Sequence, residues 1–211
     1  MNVHINVIGK ENIPPEGRFI FASNHPLGAL DGVALIRFFG HFYSGKIKFL
    51  VNDLLMHIKP LAPVFLPINK YGSQAKESSL QINNAYESDE QMLIFPAGLC
   101  SRLQHGKIKD LEWKKTLIAK AFQSQRDIIP IYFEGRNSTF FYRFAQIRKC
   151  IGLKFNIELI YLPDEMFNSK NKTFDIYIGK PIPWQTFDKS KSLQEWAQIV
   201  KEKVYQIKKN Q

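Results

Sequence analysis

Apolar residues along this chain fall into short runs separated by polar turns. Val3 to Ile8, Arg18 to Ala22, Lys46 to Val51, Gln91 to Phe95, Ile128 to Phe133, Phe155 to Tyr161 and Phe174 to Ile178 each read as a strand. Between several of them the spacing lengthens to that of a helix. Leu111 to Gln125 sets Trp113, Leu117, Ala121 and Phe122 on one face, with Asp110 as its N-cap. The last helix opens at a capping box, Ser192-x-x-Glu195, and carries Leu193, Trp196, Val200, Val204 and Ile207 in one stripe. Ser73 to Tyr86 is polar and weakly periodic; its place between two strand runs assigns it as a helix. This alternation predicts a single layered α/β domain over residues 1–211. No internal repeat, low-complexity tract or long linker interrupts it, and Pro14-Pro15, Pro163 and Asn168 to Lys172 read as turns.

With 211 residues and 45% apolar content, the chain can bury one substantial core. Its two cysteines, Cys100 and Cys150, are too few for a disulfide framework and fit a reducing cytoplasm. A formal charge of +10 points to an anionic partner: a lipid surface, a nucleic acid or a phosphorylated co-substrate. The opening "MNVHINVIGKENIPPEG" reads as a strand and turn and lacks a secretion signal pattern. The most apolar stretch, residues 48–68, is broken by Asp53, His57, Lys59 and Pro60 before it could cross about 30 Å of hydrocarbon. A membrane partner would therefore be met at its surface, which places the protein in the cytoplasm, peripheral on the inner face of the membrane.

Three strand runs end in unusual loops: "RFIFAS" in Asn24-His25-Pro26, "QMLIF" in Pro96-Ala97-Gly98, and "IIPIYF" in Glu134-Gly135-Arg136. Ligands of helix-covered sheets gather beyond the carboxyl ends of strands. His25 and Asp31, six residues apart, would sit about 120° apart around a regular helix and could not pair there. Gly28 in the spacer offers the backbone freedom for a turn that joins them. Asp31 would then accept from one imidazole nitrogen and leave the other as a base. The plainer alternative, a capping histidine and a first-turn aspartate, explains the Pro-Leu-Gly insertion less well.

"NHPLGALDG" resembles the first motif of the glycerolipid acyltransferase superfamily, an Asn-His followed by an aspartate. The five-residue spacer is similar to that of its hemolysin-like branch, which includes acyltransferases of ornithine and glycine lipid synthesis. "IFPAGLCSR", residues 94–102, resembles the Phe-Pro-Glu-Gly block, with Ala97 in place of the glutamate and the arginine displaced to Arg102. "LPINKYG" stands where the family carries a phosphate-binding arginine, with Lys70 the nearest cation. "IIPIYFEG" and "FDIYIGKPIPW" resemble the fourth motif and the closing strand. The resemblance implies a mixed, mostly parallel central sheet flanked by helices. Family members often carry helical sequence before the core.

It also implies acyl transfer from an acyl-CoA or acyl carrier protein thioester to a hydroxyl of a lyso-lipid, a lyso-amino-acid lipid or lysophosphatidic acid. His25 would be the general base and Asp31 its partner, with no bound cofactor or metal. Asn24, Gly28, Pro96 and Gly98 would frame the substrate, with oxyanion amides near Gly28 or Gly98. Lys70 and Arg102 would meet the acceptor's anionic head, with Arg136 a further cation. Ala97 keeps open an inactive acyl- or lipid-binding protein. "NSTFFYRFAQIRKCIGLK", residues 137–154, mixes Phe140, Phe141 and Phe144 with Arg143, Arg148, Lys149 and Lys154, which suits an anionic leaflet or a core-facing helix with a basic back.

Other readings fail on detail. "GHFYSGKI", residues 40–47, mimics a phosphate loop but has Ile47 at the magnesium position and leads into a strand, so it reads as a turn. No Gly-x-Ser-x-Gly elbow is present. His4, His41, His57 and His105 lack partners at metal-ligand spacing, and Cys100 reads as a small buried residue. Basic residues are spread along the chain without a nucleic-acid motif, so no nucleic-acid partner is expected.

Overall fold

A computed structural model describes residues 2–51, 59–68, 74–153 and 155–209. Its strands are β1 (His4–Ile8), β2 (Phe19–Ser23), β3 (Ile47–Val51), β4 (Phe65–Pro67), β5 (Gln91–Ile94), β6 (Arg102–Gln104), β7 (Lys107–Lys109), β8 (Asp127–Phe133) and β9 (Thr173–Ile178). The helices are α1 (Leu30–Phe42), α2 (Gln74–Glu87), α3 (Thr116–Ser124), α4 (Thr139–Cys150), α5 (Leu162–Phe167) and α6 (Leu193–Gln206). Seven strands form one sheet in the order β1-β9-β8-β2-β5-β3-β4, while β6 and β7 make a separate hairpin. All neighbours in the large sheet run parallel except β8 and β9. The mixed, mostly parallel sheet expected from the motifs is present.

Strands in such a sheet are covered on both faces, which is why β2 reads as an unbroken apolar run and is buried at every position. Its odd residues, Phe19 and Phe21, face α1, where Phe21 meets Phe39 at a ring separation of 4.1 Å. Its even residues, Ile20 and Ala22, join the core under α2, α3 and α6. A third, small cluster of Cys100, Phe141 and Tyr142 ties α4 to the loop after β5.

The capping box that opens α6 is present with both reciprocal bonds. The phosphate-loop mimic is a turn, with Ser44 and Gly45 both at positive φ before β3. Three sequence expectations are corrected. Residues 155–161 are not a strand: Ile157–Tyr161 form a 3₁₀ turn that runs directly into α5. Its apolar alternation conceals a buried acid, Glu158, whose carboxylate is held by Arg102 and Arg148 rather than by a sheet. Pro163 is a first-turn helix residue there, where its missing N–H costs nothing. The helix expected over Leu111 to Gln125 begins only at Thr116, with Lys115 as N-cap. Trp113 precedes it and is buried, whereas Phe122, expected on the inner face, is largely exposed against Trp184.

Candidate active site

The site assembles where β2 leaves the sheet. Asn24 donates its amide to the Phe133 carbonyl (3.0 Å) and accepts from the Phe133 N–H (2.6 Å), so its side chain closes the gap between the ends of β2 and β8. The next residue turns away from that rung. His25 N–H donates to Asp110 Oδ1 (3.2 Å) and its carbonyl accepts from Ser101 N–H (2.7 Å), which fixes the histidine backbone from two sides. The imidazole lies flat on Phe95, with ring centroids 3.8 Å apart at an interplanar angle of 15°.

Gly28 makes the turn that sequence spacing demanded. Its φ is +78°, and an added Cβ would lie 2.8 Å from Leu162 Cδ2 and 3.1 Å from Cys100 Cβ, so neither conformation nor space admits a side chain. The turn delivers Asp31 in the first turn of α1 with its Oδ2 2.9 Å from His25 Nδ1. Asp31 is fully buried and accepts from two backbone amides as well, Leu27 N–H to Oδ2 and Gly32 N–H to Oδ1, each at 2.9 Å. A carboxylate so satisfied holds the ring from one side only. Among the described residues His25 Nε2 has no hydrogen-bond partner, and the side chain is 15% exposed.

The remaining expected residues divide. Pro96 and Ala97 are buried beside the site loop, and the Pro96 carbonyl accepts from Lys114 N–H (3.1 Å). Gly98 has φ +71° and Lys114 Nζ crowds the space where its Cβ would stand; its N–H is spent on the Phe95 carbonyl (2.9 Å). Arg102 is already neutralised: it donates to buried Glu158 (2.9 Å) and to the carbonyl and Sγ of Cys100. Arg136 is exposed and reaches only Thr139 Oγ1 (3.3 Å) among the described residues. It lines a cleft of about 260 Å³ shared with Asn24, Pro26, Ser101 and Tyr205. Glu134, also lining it, is paired with Lys208. Lys70 lies outside the described residues. Burial pushes the Cys100 thiol up to about 11, which suits a packing role.

Sequence reasoning missed Asp110 as a support of the site. It is buried, and it accepts from His25 N–H, Ser101 Oγ (2.6 Å) and Trp113 Nε1 (2.9 Å), a fan of three donors from three segments. Burial holds its carboxyl above the usual carboxylate range, against the opposing hydrogen bonds. The available signal was an acid three residues before a tryptophan at the end of a hairpin, which a helix cap explains equally well.

A sequence model of the acyltransferase family matches residues 2–211. The chain belongs to the acyltransferase family. Within the glycerolipid acyltransferase superfamily, this acyltransferase is 55% identical over 207 residues to a lyso-glycine lipid O-acyltransferase of Bacteroides thetaiotaomicron, covering 98% of this chain and 76% of the relative. A protein of the same name from Phocaeicola vulgatus is 52% identical over 207 residues, with 98% and 74% covered. The crystal structure of a 1-acyl-sn-glycerophosphate acyltransferase from Thermotoga maritima matches with a TM-score of 0.59 at 19% identity, over 97% of this chain and 72% of that one, and so shares the acyltransferase's fold. Among the described residues, no helix of this acyltransferase is long and apolar enough to cross a membrane.

Proposed function

We propose that this acyltransferase moves a fatty acyl group from an acyl-CoA or acyl carrier protein thioester to the hydroxyl of a lyso-glycine lipid, at the cytoplasmic face of an anionic membrane. The observation that carries the reading is the His25 ring, held through Nδ1 by buried Asp31 with Nε2 left over. Nε2 takes the hydroxyl proton as the acceptor oxygen attacks the thioester carbonyl. Asp31 accepts the Nδ1–H and stabilises the imidazolium that forms. The tetrahedral intermediate then collapses, the carbon–sulfur bond breaks, and the imidazolium returns the proton to the departing thiolate. Gly28 N–H, without a partner among the described residues, is the better candidate for the oxyanion, since Gly98 N–H is engaged.

The two relatives' names favour the glycine lipid over ornithine lipid and lysophosphatidic acid as acceptor. A glycine head joined through nitrogen keeps one anion, its carboxylate. Arg102 has its charge matched by Glu158, so exposed Arg136 is the better partner for that carboxylate. The test is acyl transfer to lyso-glycine lipid with each donor. His25→Ala should lower turnover by about a hundredfold to ten-thousandfold while remaining folded. Arg136→Gln should raise KM for this acceptor but not for its glycinamide analogue. Full activity in folded His25→Ala would remove the general-base reading, and equal KM values would remove Arg136 from the headgroup site.

A further inference from the structure

The outer surface of α4 carries an apolar stripe among exposed polar and basic residues. Phe140, Phe144, Ile147 and Ile151 recur at offsets of four, three and four residues, which places them in one stripe. The helix already buries a different side, through Phe141, Tyr142 and Ala145. Beyond α4 the exposure grows: Phe155 is 81% exposed, Ile160 76%, Ile151 66% and Phe167 65%. Seven of the thirteen exposed large apolar side chains among the described residues lie between 140 and 167. Phe140 and Phe144 stack on each other and meet Tyr161 edge-on at 5.2 and 5.5 Å, so the helix stripe and the 3₁₀ turn form one surface. Concentrated apolar exposure of this kind marks an interaction surface rather than scattered surface residues.

We infer that this face, formed by the outer side of α4, the 3₁₀ turn and α5, docks into an anionic lipid leaflet; the inference deepens the lipid-acceptor reading given above and rests on it. Charge selects the occupant. Arg143, Lys149, Lys170 and Lys172 are exposed around the apolar residues and form no ion pair among the described residues, while Asp164 is the exposed acid of that segment. Aromatic and aliphatic side chains rimmed by cations suit the boundary between headgroups and acyl chains. The face also lies against the reaction loop, because Leu162 at its inner edge packs on Gly28, three residues from His25. A lipid acceptor held in the leaflet would need to rise only past that edge.

The experiment is sedimentation with vesicles of phosphatidylglycerol and phosphatidylcholine in equal parts, and of phosphatidylcholine alone. Binding is compared for the wild type, Phe155→Asp/Ile160→Asp and Arg143→Glu/Lys149→Glu, with thermal unfolding and light scattering on each. The wild type should bind the anionic vesicles at least tenfold more tightly than the neutral ones. Both double variants should lose at least tenfold of that binding with unchanged unfolding midpoints, and should keep transfer to a short-chain, water-soluble acceptor. Wild-type-like binding by either variant, no binding by the wild type, or a wild-type dimer broken by Phe155→Asp/Ile160→Asp without loss of vesicle binding would each overturn the docking face. Vesicle binding with no transfer to any acceptor would leave the face standing and remove the catalytic reading instead.

Discussion

Asp31 and Glu158 are both inaccessible to solvent and each approaches a basic side chain at 2.9 Å. The surroundings separate them. Asp31 takes its other bonds from the nearby backbone amides of Leu27 and Gly32, so among the described residues the imidazole is its one side-chain partner and keeps a nitrogen in reserve. Glu158 is shared by two guanidinium groups, and those are themselves spent, Arg102 on Cys100 and Arg148 on the Leu153 carbonyl (2.6 Å). A buried ion pair is therefore no mark of an active site by itself. What marks one is a reactive atom left over after every structural demand has been met.

Three changes would break or sharpen that contrast. Asp31→Asn should have the largest effect on chemistry, lowering kcat by about a hundredfold or more, because the ring loses its orienting acceptor and the stabiliser of its charged form. Measuring kcat against acceptor concentration checks it; a variant within a few-fold of wild type would make Asp31 a helix-capping residue after all. Glu158→Gln should do the reverse. Removing one member of a buried ion cluster costs about 3–5 kcal/mol of stability, seen as a lower denaturant midpoint. Turnover per folded molecule should stay within about twofold, since Glu158 touches no group of the proposed reaction.

The smallest effect concerns Asp110, which resembles both corners. Because burial raises its carboxyl pKa, the native state keeps the proton at pH values where the unfolded chain has lost it. Its contribution to stability is thus fullest in acid and declines as pH rises through the window above the ordinary carboxylate range. Asp188 and Glu195, lowered by hydrogen bonds at Ser190 and Ser192, change in the opposite sense. The unfolding temperature of wild type relative to Asp110→Asn should fall between about pH 4 and pH 7. A difference that stays constant over that range would show that Asp110 is ionised throughout.

The same contrast explains what was legible in the sequence. His25, Gly28 and Asp31 lie within seven consecutive residues, so spacing and a glycine were enough to predict their union. Six of the seven strands of the central sheet were legible too, helped where burial on both faces leaves a continuous apolar run such as residues 19–22. Glu158 was not, because its partners lie 56 and 10 residues away and nothing local distinguishes a buried acid from one alternating outward on a strand. Asp110 was hidden in the same way: a helix cap and a long-range acceptor present identical sequence. The hairpin of β6 and β7 and the strand β4 are three residues each, too short to declare a period. On α4 the mixture of aromatic and basic residues was visible, but only its packing reveals which side faces outward.

The strand β1 carries a consequence of a different sort. Its partner in the sheet is β9, with Asn6 bonded to Asp175 across a separation of 169 residues. On a ribosome, where synthesis is vectorial, β1 emerges well before β9 and must wait, alternating and half-apolar, until its partner appears. Completion of the sheet is thereby delayed until the loop that carries His25, its supports and helices α1 to α5 have all been made, since every one of them lies between β1 and β9 in sequence.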